Sequence, residues 1–204
     1  YNGRPLVNSV SGKAESMAAV FPLLKRYGGV AIALTLDENG IPATAGVRLA
    51  IAQRIIDTAA SYGIPKEDLI FDPLALTISA DQSAAAVTLE TVERITRELG
   101  CRTSLGVSNV SFGLPRREVV NSAFFLLALE KGLSAAILNP NSAPMTDALR
   151  SYCALKGLDP NCQDYIAAMA GETAPAPAPS GATPQIRFPP RRSRYWLTGE
   201  TEPS

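Results

Sequence analysis

The feature that most constrains this chain is a unit that occurs five times: a short β-rich run, a polar residue at its end, a loop and a helical pattern. The β-rich runs lie at 5–9, 29–37, 69–76, 103–111 and 133–140. Polar marker residues at the run ends are spaced 27, 37, 37 and 30 residues apart, at Asn8, Thr35, Asp72, Asn109 and Asn139. Such intervals are typical of βα units. The alternation predicts an α/β fold with a parallel sheet.

Two parallel architectures remain open at this level. The runs are continuously apolar, which is typical of strands covered on both faces. An open doubly wound sheet and part of an eight-stranded (β/α) barrel both satisfy that pattern. The sequence contains no GxGxxG after its first strand and no GxxxxGK[ST], so a nucleotide-binding open sheet has no motif in its favour. In both architectures the functional residues are expected at the C-terminal ends of the strands.

Helix boundaries are also readable. Three helical patterns end at a glycine suited to the position after a helix, namely Gly63, Gly100 and Gly132. Asp81 is expected to cap the N-terminus of the third helix, and Pro115 is expected in the first turn of the fourth. Pro22 is expected to kink or break the first helix. A last helix is predicted over 144–168, with a break near 157–161.

Charge and composition exclude several function classes. The 204 residues include 19 Lys+Arg and 19 Asp+Glu, so a non-specific nucleic-acid binder, which would be basic, is not expected. The chain has no histidine, which excludes Ser-His-Asp and Cys-His catalysis and most zinc sites. No metal site is predicted. Catalysis would have to use carboxylates, amides, hydroxyls, lysines or a cofactor.

Cysteine content and hydropathy bear on location. No apolar run approaches the 18 or so residues that a membrane span needs. The three cysteines, Cys101, Cys153 and Cys162, lack metal-ligand spacing, and an odd, sparse set does not predict a disulfide framework. A cytoplasmic location is therefore expected.

The chain is predicted to divide in two. Residues 1–170 carry the βα units, and residues 171–204 begin as a Pro/Ala-rich linker and continue as a tail predicted to be disordered. An alternative for the tail is a small basic and aromatic interaction patch around residues 191–196. Because the chain has no initiator methionine and enters its first strand almost at once, it is expected to be a fragment that lacks an N-terminal part.

Neutral hydrogen-bonding groups dominate the strand ends. The set comprises Asn8, Ser9, Thr35, Asp37, Asp72, Ser108, Asn109, Ser111, Asn139 and Asn141. This composition predicts binding of a flat heterocycle: Asp72 can accept two parallel N–H bonds, and Asn109 can donate and accept at once. Structural interpretations stay open, with Asp72 capping a turn and Asn8 and Asn109 satisfying loop backbone.

Three segments of the sequence, one of them long, together resemble a known family. They are Asn8-Ser9 at the first strand end, FDPL at 71–74 and GVSNVSFGLPRREVVNSAFFLLALEKGLSAAILNP at 106–140. Together they resemble the pterin-binding domain of corrinoid-dependent methyltransferases, above all the folate domain of cobalamin-dependent methionine synthase. The methyltetrahydrofolate:corrinoid/iron–sulfur protein methyltransferase is a near relative of that domain, and dihydropteroate synthase is a distant one. The resemblance covers about residues 4–168.

The resemblance implies a partial (β/α)8 barrel comprising about strands four to eight. It also implies that the N-terminal half of the barrel, with an aspartate that helps to hold the pterin, is a missing partner. Asn8 and Asp72 would bind the pterin ring, and Asn109, with Ser108 beside it, would lie near N5. Phe112 stands where one relative has a glutamine. Arg116 or Arg117 would approach the folate tail.

The implied activity is methyl transfer from N5 of methyltetrahydrofolate to the Co(I) of a corrinoid. Asn109 would be the catalytic residue. Because the DxHxxG string of corrinoid modules needs a histidine, cobalamin would be carried by another domain or protein. Two alternatives remain: a dihydropteroate synthase-like pterin enzyme, for which the expected strand-end lysine and late Ser-x-Arg site are not evident, and a non-catalytic truncated barrel.

Overall fold

The computed structural model describes residues 2–170. The predicted linker and disordered tail, with the alternative patch at 191–196, lie outside the described residues. The five strands are β1 (Leu6–Ser11), β2 (Val30–Leu34), β3 (Leu69–Asp72), β4 (Arg102–Gly106) and β5 (Ala135–Ile137). The six α-helices are α1 (Ala14–Tyr27), α2 (Ala45–Ser61), α3 (Ala84–Arg94), α4 (Arg117–Glu130), α5 (Ala143–Leu155) and α6 (Gln163–Met169).

All five strands pair in parallel, in the order β1-β2-β3-β4-β5. The predicted α/β fold with a parallel sheet is therefore confirmed. A doubly wound sheet reverses its strand order at a switch point, whereas the successive units of a barrel follow one another around the sheet. The observed order contains no reversal and is consistent with part of a (β/α) barrel.

Two apolar clusters bind the helices to one face of the sheet. The first packs α1 and α2 against β1, β2 and β3, with the buried side chains of Phe21, Ile55, Leu69 and Phe71 among its members. The second packs α3, α4 and α5 against β4 through residues that include Leu105. No helix within residues 2–170 is long and apolar enough to cross a membrane.

The opposite face of the sheet carries the predicted pterin residues of β1 and β3. Asn8 pairs with Ile32, and Asp72 pairs with Leu34, two residues further along β2. Because residues two apart in a strand point to the same side, Asn8 and Asp72 share one face. The register shifts between Asn8 and Val10, where the Asn8–Ser9 peptide bond is cis.

The strands are shorter than the apolar runs that predicted them. The difference is largest at the fourth run, 103–111, because β4 ends at Gly106 and residues Val107–Ser111 form a 3-10 helix. Val107 and Val110 are buried in this turn, whereas Ser108 and Asn109 are exposed. The apolar residues of the run thus belong to two elements. Asn109 lies on a helical turn after the strand, not at its last residue.

Some helix boundaries differ from those predicted. Helix α1 continues through Pro22 to Tyr27, so Pro22 does not break it, and the predicted kink stays a prediction. Ser83, not Asp81, occupies the N-cap of α3; the Asp81 carboxylate instead accepts hydrogen bonds from the backbone N–H and hydroxyl of Ser83. Pro115 precedes the N-cap residue Arg116 and is not in the first turn of α4.

The glycine stops and the last helical segment agree with the prediction. Gly63, Gly100 and Gly132 all have positive φ after a helix, a conformation that glycine adopts without steric cost. The last helical segment is interrupted near the predicted position, because α5 ends at Leu155 and α6 begins at Gln163.

Candidate functional site

The C-terminal ends of the strands bring the predicted site residues to one edge of the sheet. Asp72 is the last residue of β3, and Asn109 follows β4 by three residues. Asn8 lies in β1 on the same face as Asp72. It pairs with Ile32, two residues before the residue of β2 that pairs with Asp72, and so lies further from that edge. The candidate site is this edge together with the loops that follow β3 and β4.

The backbone around Asp72 is held on several sides. Its carbonyl oxygen accepts hydrogen bonds from the N–H and the hydroxyl of the buried Thr35, each at 3.1 Å. Its Oδ1 accepts the Leu74 N–H at 2.8 Å. Within residues 2–170 the other carboxylate oxygen has no hydrogen-bond partner. Asp72 therefore closes its own turn with one oxygen and can offer the other to a ligand, so the capping and binding interpretations are compatible.

Arg48, from α2, fixes the turn that follows Asp72. It is 1% exposed. Its Nη1 donates to the carbonyl oxygens of Pro73 at 2.6 Å and Leu74 at 3.0 Å, and its Nε donates to that of Pro42 at 2.9 Å. The Thr88 hydroxyl, from α3, also donates to the Leu74 carbonyl. The residues after β3 are thus tied to two helices.

Burial and charge act on Asp72 in opposite directions. Desolvation raises the pKa of Asp72 above that of an ordinary aspartate, and the Leu74 N–H and the positive charge of Arg48 partly offset this. A carboxylate with a raised pKa is protonated at a higher pH than usual. Any ligand that needs the ionised form will therefore lose affinity as the pH falls through that raised pKa.

The turn that carries Asn109 is exposed and closely packed at one point. In the described part of the chain the Asn109 side-chain amide makes no hydrogen bond. A Cβ atom placed on Gly106 would lie 3.0 Å from Nδ2 of Asn109, so the amide folds back over the end of β4. The amide is consequently available to a ligand and its position depends on the absence of a side chain at residue 106.

The two neighbouring arginines differ in their contacts. Arg117 donates from Nε to the Ser111 hydroxyl at 3.0 Å and from Nη2 to the Ser108 carbonyl at 2.7 Å, and it lies 5.7 Å from the Phe112 ring centroid. Arg116 is exposed, with φ of 48°, and its side chain makes no hydrogen bond within residues 2–170. Arg117 therefore braces the Asn109 turn, and Arg116 is the less constrained of the pair.

The loops after β3 and β4 are joined directly. The hydroxyls of Thr77 and Ser79 donate to the Phe112 carbonyl at 2.6 and 2.9 Å, and the Ile78 N–H donates to the Val110 carbonyl at 3.0 Å. Phe112 itself is 67% exposed. An open depression of about 790 Å³ adjoins this junction and is lined by Ile78, Ser79, Ala80, Gln82, Ala85 and Leu114.

Comparison with known proteins gives the family. The sequence profile of the family described as "Pterin binding enzyme" matches residues 1–139. The chain belongs to this family. The matched range contains all of the predicted site residues, which are Asn8, Asp72, Ser108, Asn109, Arg116 and Arg117.

Three relatives are named as a methyltransferase or as methionine synthases. The chain is 30% identical over 164 residues to a methylcorrinoid:tetrahydrofolate methyltransferase from Eubacterium limosum, covering 78% of this chain and 60% of that protein. It is 36% identical over 151 residues to methionine synthase from Mycobacterium tuberculosis, covering 67% of this chain and 13% of that protein. It is 34% identical over 151 residues to methionine synthase from Mycobacterium leprae, covering 67% of this chain and 12% of that protein.

Three supporting residues of the site were missed by the sequence interpretation: Arg48, Thr88 and Arg117 as a brace. A signal for Arg48 existed, because it lies four residues before the buried Ala52 and seven before the buried Ile55. That spacing places an arginine on the buried stripe of α2. Thr88 had the same signal, because it lies four residues before the buried Val92 and seven before the buried Ile95. No metal-ligand cluster of three or more His, Cys, Asp or Glu side chains occurs within residues 2–170.

Proposed function

We propose that this chain binds methyltetrahydrofolate through its pterin ring and supports transfer of the N5 methyl group to the Co(I) of a corrinoid. The proposal is carried by one observation: the family profile spans Asp72, which ends β3, and Asn109, which follows the neighbouring strand β4 by three residues. The names of the relatives favour methyl transfer between a folate and a corrinoid over dihydropteroate synthesis, and the name of the Eubacterium limosum relative gives the reverse direction, from methylcorrinoid to tetrahydrofolate.

Recognition would rest on Asp72 and Asn8. The 2-amino group and ring N3–H of a pterin form two adjacent donors, which a carboxylate can accept in parallel. One Asp72 oxygen has no hydrogen bond within residues 2–170, and Oδ1, which accepts the Leu74 N–H, keeps a second lone pair for the other ring donor. Asn8 is exposed on the same face of the sheet and offers both a donor and an acceptor to the ring. Ser108, also exposed, lies next to Asn109 and completes the substrate-binding set.

Asn109 would act on N5. Methyl transfer breaks the C–N5 bond, leaves its electron pair on nitrogen and forms a bond from carbon to the electron pair of Co(I). A tertiary amine is a poor leaving group until N5 is protonated. The Asn109 amide oxygen can accept the N5–H bond of the protonated form, and a hydrogen bond that strengthens as positive charge develops stabilises the transition state more than the ground state.

Arg116 is proposed to meet the carboxylates of the folate tail. Arg117 is engaged with Ser111 and with the Ser108 carbonyl, whereas Arg116 is exposed beside it. The corrinoid would be carried by another domain or protein, because this chain has no histidine to serve a corrinoid-binding DxHxxG motif. The chain matches only part of each relative's length, 60% of the Eubacterium limosum protein and 13% of the Mycobacterium tuberculosis protein. The complete activity would therefore require further segments.

The test uses two forms of the protein. One is the 204-residue chain, and the other is this chain fused behind the first part of the pterin-binding domain of the Eubacterium limosum methyltransferase. Calorimetry with 5-methyltetrahydrofolate measures binding, and the loss of Co(I) absorbance of a free corrinoid measures methyl transfer. Binding and transfer by the fused form, abolished by Asp72→Ala, are expected.

Three results would speak against the proposal. No binding by either form would overturn it. Condensation of p-aminobenzoate with a pterin pyrophosphate, without methyl transfer, would replace it with the dihydropteroate synthase-like function. Tight binding without transfer, in the presence of an active corrinoid, would reduce the chain to a pterin-binding module without catalysis.

A further inference from the structure

Arg48 is a buried charge to which the pterin chemistry assigns no direct part. Its partners in the described part of the chain are the carbonyl oxygens of Pro42, Pro73 and Leu74 and the Thr88 hydroxyl, and none is a carboxylate. Burial lowers the pKa of Arg48, but a guanidinium stays protonated in proteins. A buried cation that is paired only with neutral groups is costly to desolvate, so its presence here calls for an explanation.

The contacts of Arg48 converge on the turn that shapes Asp72. Leu74 has φ of 64°, a left-handed conformation that is uncommon for a leucine. Its N–H donates to Oδ1 of Asp72, while its carbonyl oxygen accepts from Arg48 and Thr88. The Pro73 carbonyl and the Leu74 N–H belong to one planar peptide unit. Because Arg48 holds that carbonyl at 2.6 Å, it also fixes the direction of the N–H that donates to Asp72.

The charge of Arg48 also acts on Asp72 through space. The other elements packed around the carboxyl group contribute few charges. In strand β2, Leu34 pairs with Asp72. In strand β4, the exposed Arg102 pairs with Ile70, which lies two residues before Asp72. Helix α3 contributes the neutral Thr88. Arg48 is the cation that contacts the Asp72 turn directly.

We propose that Arg48 is a positioning residue for pterin recognition. It holds the turn after β3 so that the Asp72 carboxylate faces the ligand. Its positive charge favours the ionised form of that carboxylate, which accepts the two ring N–H bonds. This inference rests on the proposed function, since it assumes that Asp72 receives the pterin. It adds a residue that lies behind the site and does not touch the substrate.

The test compares three variants in the form of the protein that binds 5-methyltetrahydrofolate. Arg48→Met removes both the hydrogen bonds and the charge, and Arg48→Lys keeps the charge but loses the fork of donors. Ile55→Ala is the control, because Ile55 is fully buried in the core on the same helix, two turns away, and has neither a charge nor a donor that could hold the Asp72 turn. Affinity is measured by calorimetry from about pH 5 to pH 9, and folding by thermal unfolding.

The expected results separate positioning from stability. Arg48→Met weakens binding by about 10–100-fold, by analogy with residues that orient metal ligands, and its acid-side loss of affinity moves to higher pH. Arg48→Lys weakens binding but keeps the acid-side limb near its original pH. Ile55→Ala unfolds at a lower temperature, and its affinity stays within about two-fold of the unsubstituted protein at every pH.

Each contrary result is decisive. Unchanged affinity and pH dependence in Arg48→Met overturn the proposal, and so does an affinity loss in Ile55→Ala equal to that of Arg48→Met. If Arg48→Met does not fold, Arg48→Lys decides: an affinity equal to that of the unsubstituted protein at every pH overturns the proposal. Failure of the unsubstituted protein to bind 5-methyltetrahydrofolate instead overturns the proposed function itself, and this inference with it.

Discussion

The loops after β3 and β4 are each braced by an arginine, but in different surroundings. Arg48 is buried and ties the Asp72 turn to α2, whereas Arg117 is exposed and ties the Asn109 turn to α4. Each donates to a backbone carbonyl within two residues of the side chain that is proposed to meet the ligand. A buried carbonyl that loses its donor stays unsatisfied, while an exposed one turns to water. The β3 end is therefore fixed before binding, and the β4 end can adjust.

The largest expected effect concerns the adjustable end. Asn109→Ala removes the amide that would meet N5, and kcat should fall about 10²–10³-fold, or roughly 2.7–4 kcal/mol, by analogy with oxyanion-hole donors. Stability should change little because the side chain is exposed. Single-turnover transfer to Co(I) measures the effect, and Asn39→Ala, at another exposed loop asparagine, is the control. A fall in affinity with unchanged kcat would contradict the catalytic role.

The fixed end should respond in affinity and in pH dependence. Asp72→Asn replaces an acceptor of two N–H bonds with an amide, and binding should weaken by about 1.5–3 kcal/mol, the range for hydrogen bonds to charged groups. In the unsubstituted protein, affinity should be full above the raised pKa of Asp72 and should fall as the pH drops through it. The variant should lack this acid-side loss. Calorimetry across the pH range tests both points.

Asp72 also affects folding, with the opposite sign. Its folded-state pKa is raised by burial, so the folded protein binds the proton more strongly than the unfolded chain does. Its contribution to stability is therefore most favourable at low pH and is lost as the pH rises through the folded-state pKa. Asp72→Asn should not unfold more readily than the unsubstituted protein near neutral pH. A clear loss of stability there would show that the ionised carboxylate is structurally required.

Removing each arginine in turn tests the difference in burial directly. Arg48→Met should lower the free energy of unfolding by about 1–3 kcal/mol or more, because it leaves buried carbonyls without donors. Arg117→Met should lower it by only about 0.5–1.5 kcal/mol, because water can reach the Ser108 carbonyl. Urea unfolding of both variants measures the difference. Equal losses would mean that the two loops are held alike.

The smallest expected effect uses a methyl group as a probe. In Gly106→Ala the new Cβ would lie 3.0 Å from Nδ2 of Asn109, so the amide must shift by a few tenths of an ångström. We expect a change in kcat of only several-fold, about 1 kcal/mol, with unchanged unfolding. Gly46→Ala is a matched control, because a Cβ there would have its nearest neighbour at 3.6 Å. An unaffected kcat would mean that the Asn109 amide does not act from its observed position over the end of β4.

Much of the fold could be predicted from the sequence, because apolar runs mark the strands and a glycine follows the end of several helices. The end of β4 was the exception. Val107 and Val110 extend the apolar run, yet they are buried by a 3-10 turn, and no local pattern separates that turn from a strand. The sequence also could not decide between a kink and a break at Pro22: α1 continues through it, with Phe21 and Leu24 buried in the core on either side.

The residues that are proposed to face the ligand could be named from the sequence, whereas most of their supports were not. Asp72 ends β3 and Asn109 follows β4 by three residues, and polar residues are conspicuous after apolar runs. Arg48 was overlooked because only the apolar residues of its helix were counted, although its spacing marks it as buried. Arg116 and Arg117 could not be told apart from sequence, because their directions depend on the left-handed backbone of Arg116 at the start of α4.

The hydrogen bonds that join the loops after β3 and β4 have a thermodynamic consequence. Thr77 and Ser79 hold the Phe112 carbonyl, and Ile78 holds that of Val110, so neither loop can be ordered without restricting the other. Because the loop after β3 is held in place before binding, these hydrogen bonds already limit the conformational freedom of the Asn109 turn in the free protein. The contact to Asn109 is therefore made at a lower entropic cost than it would be if the two loops were separate.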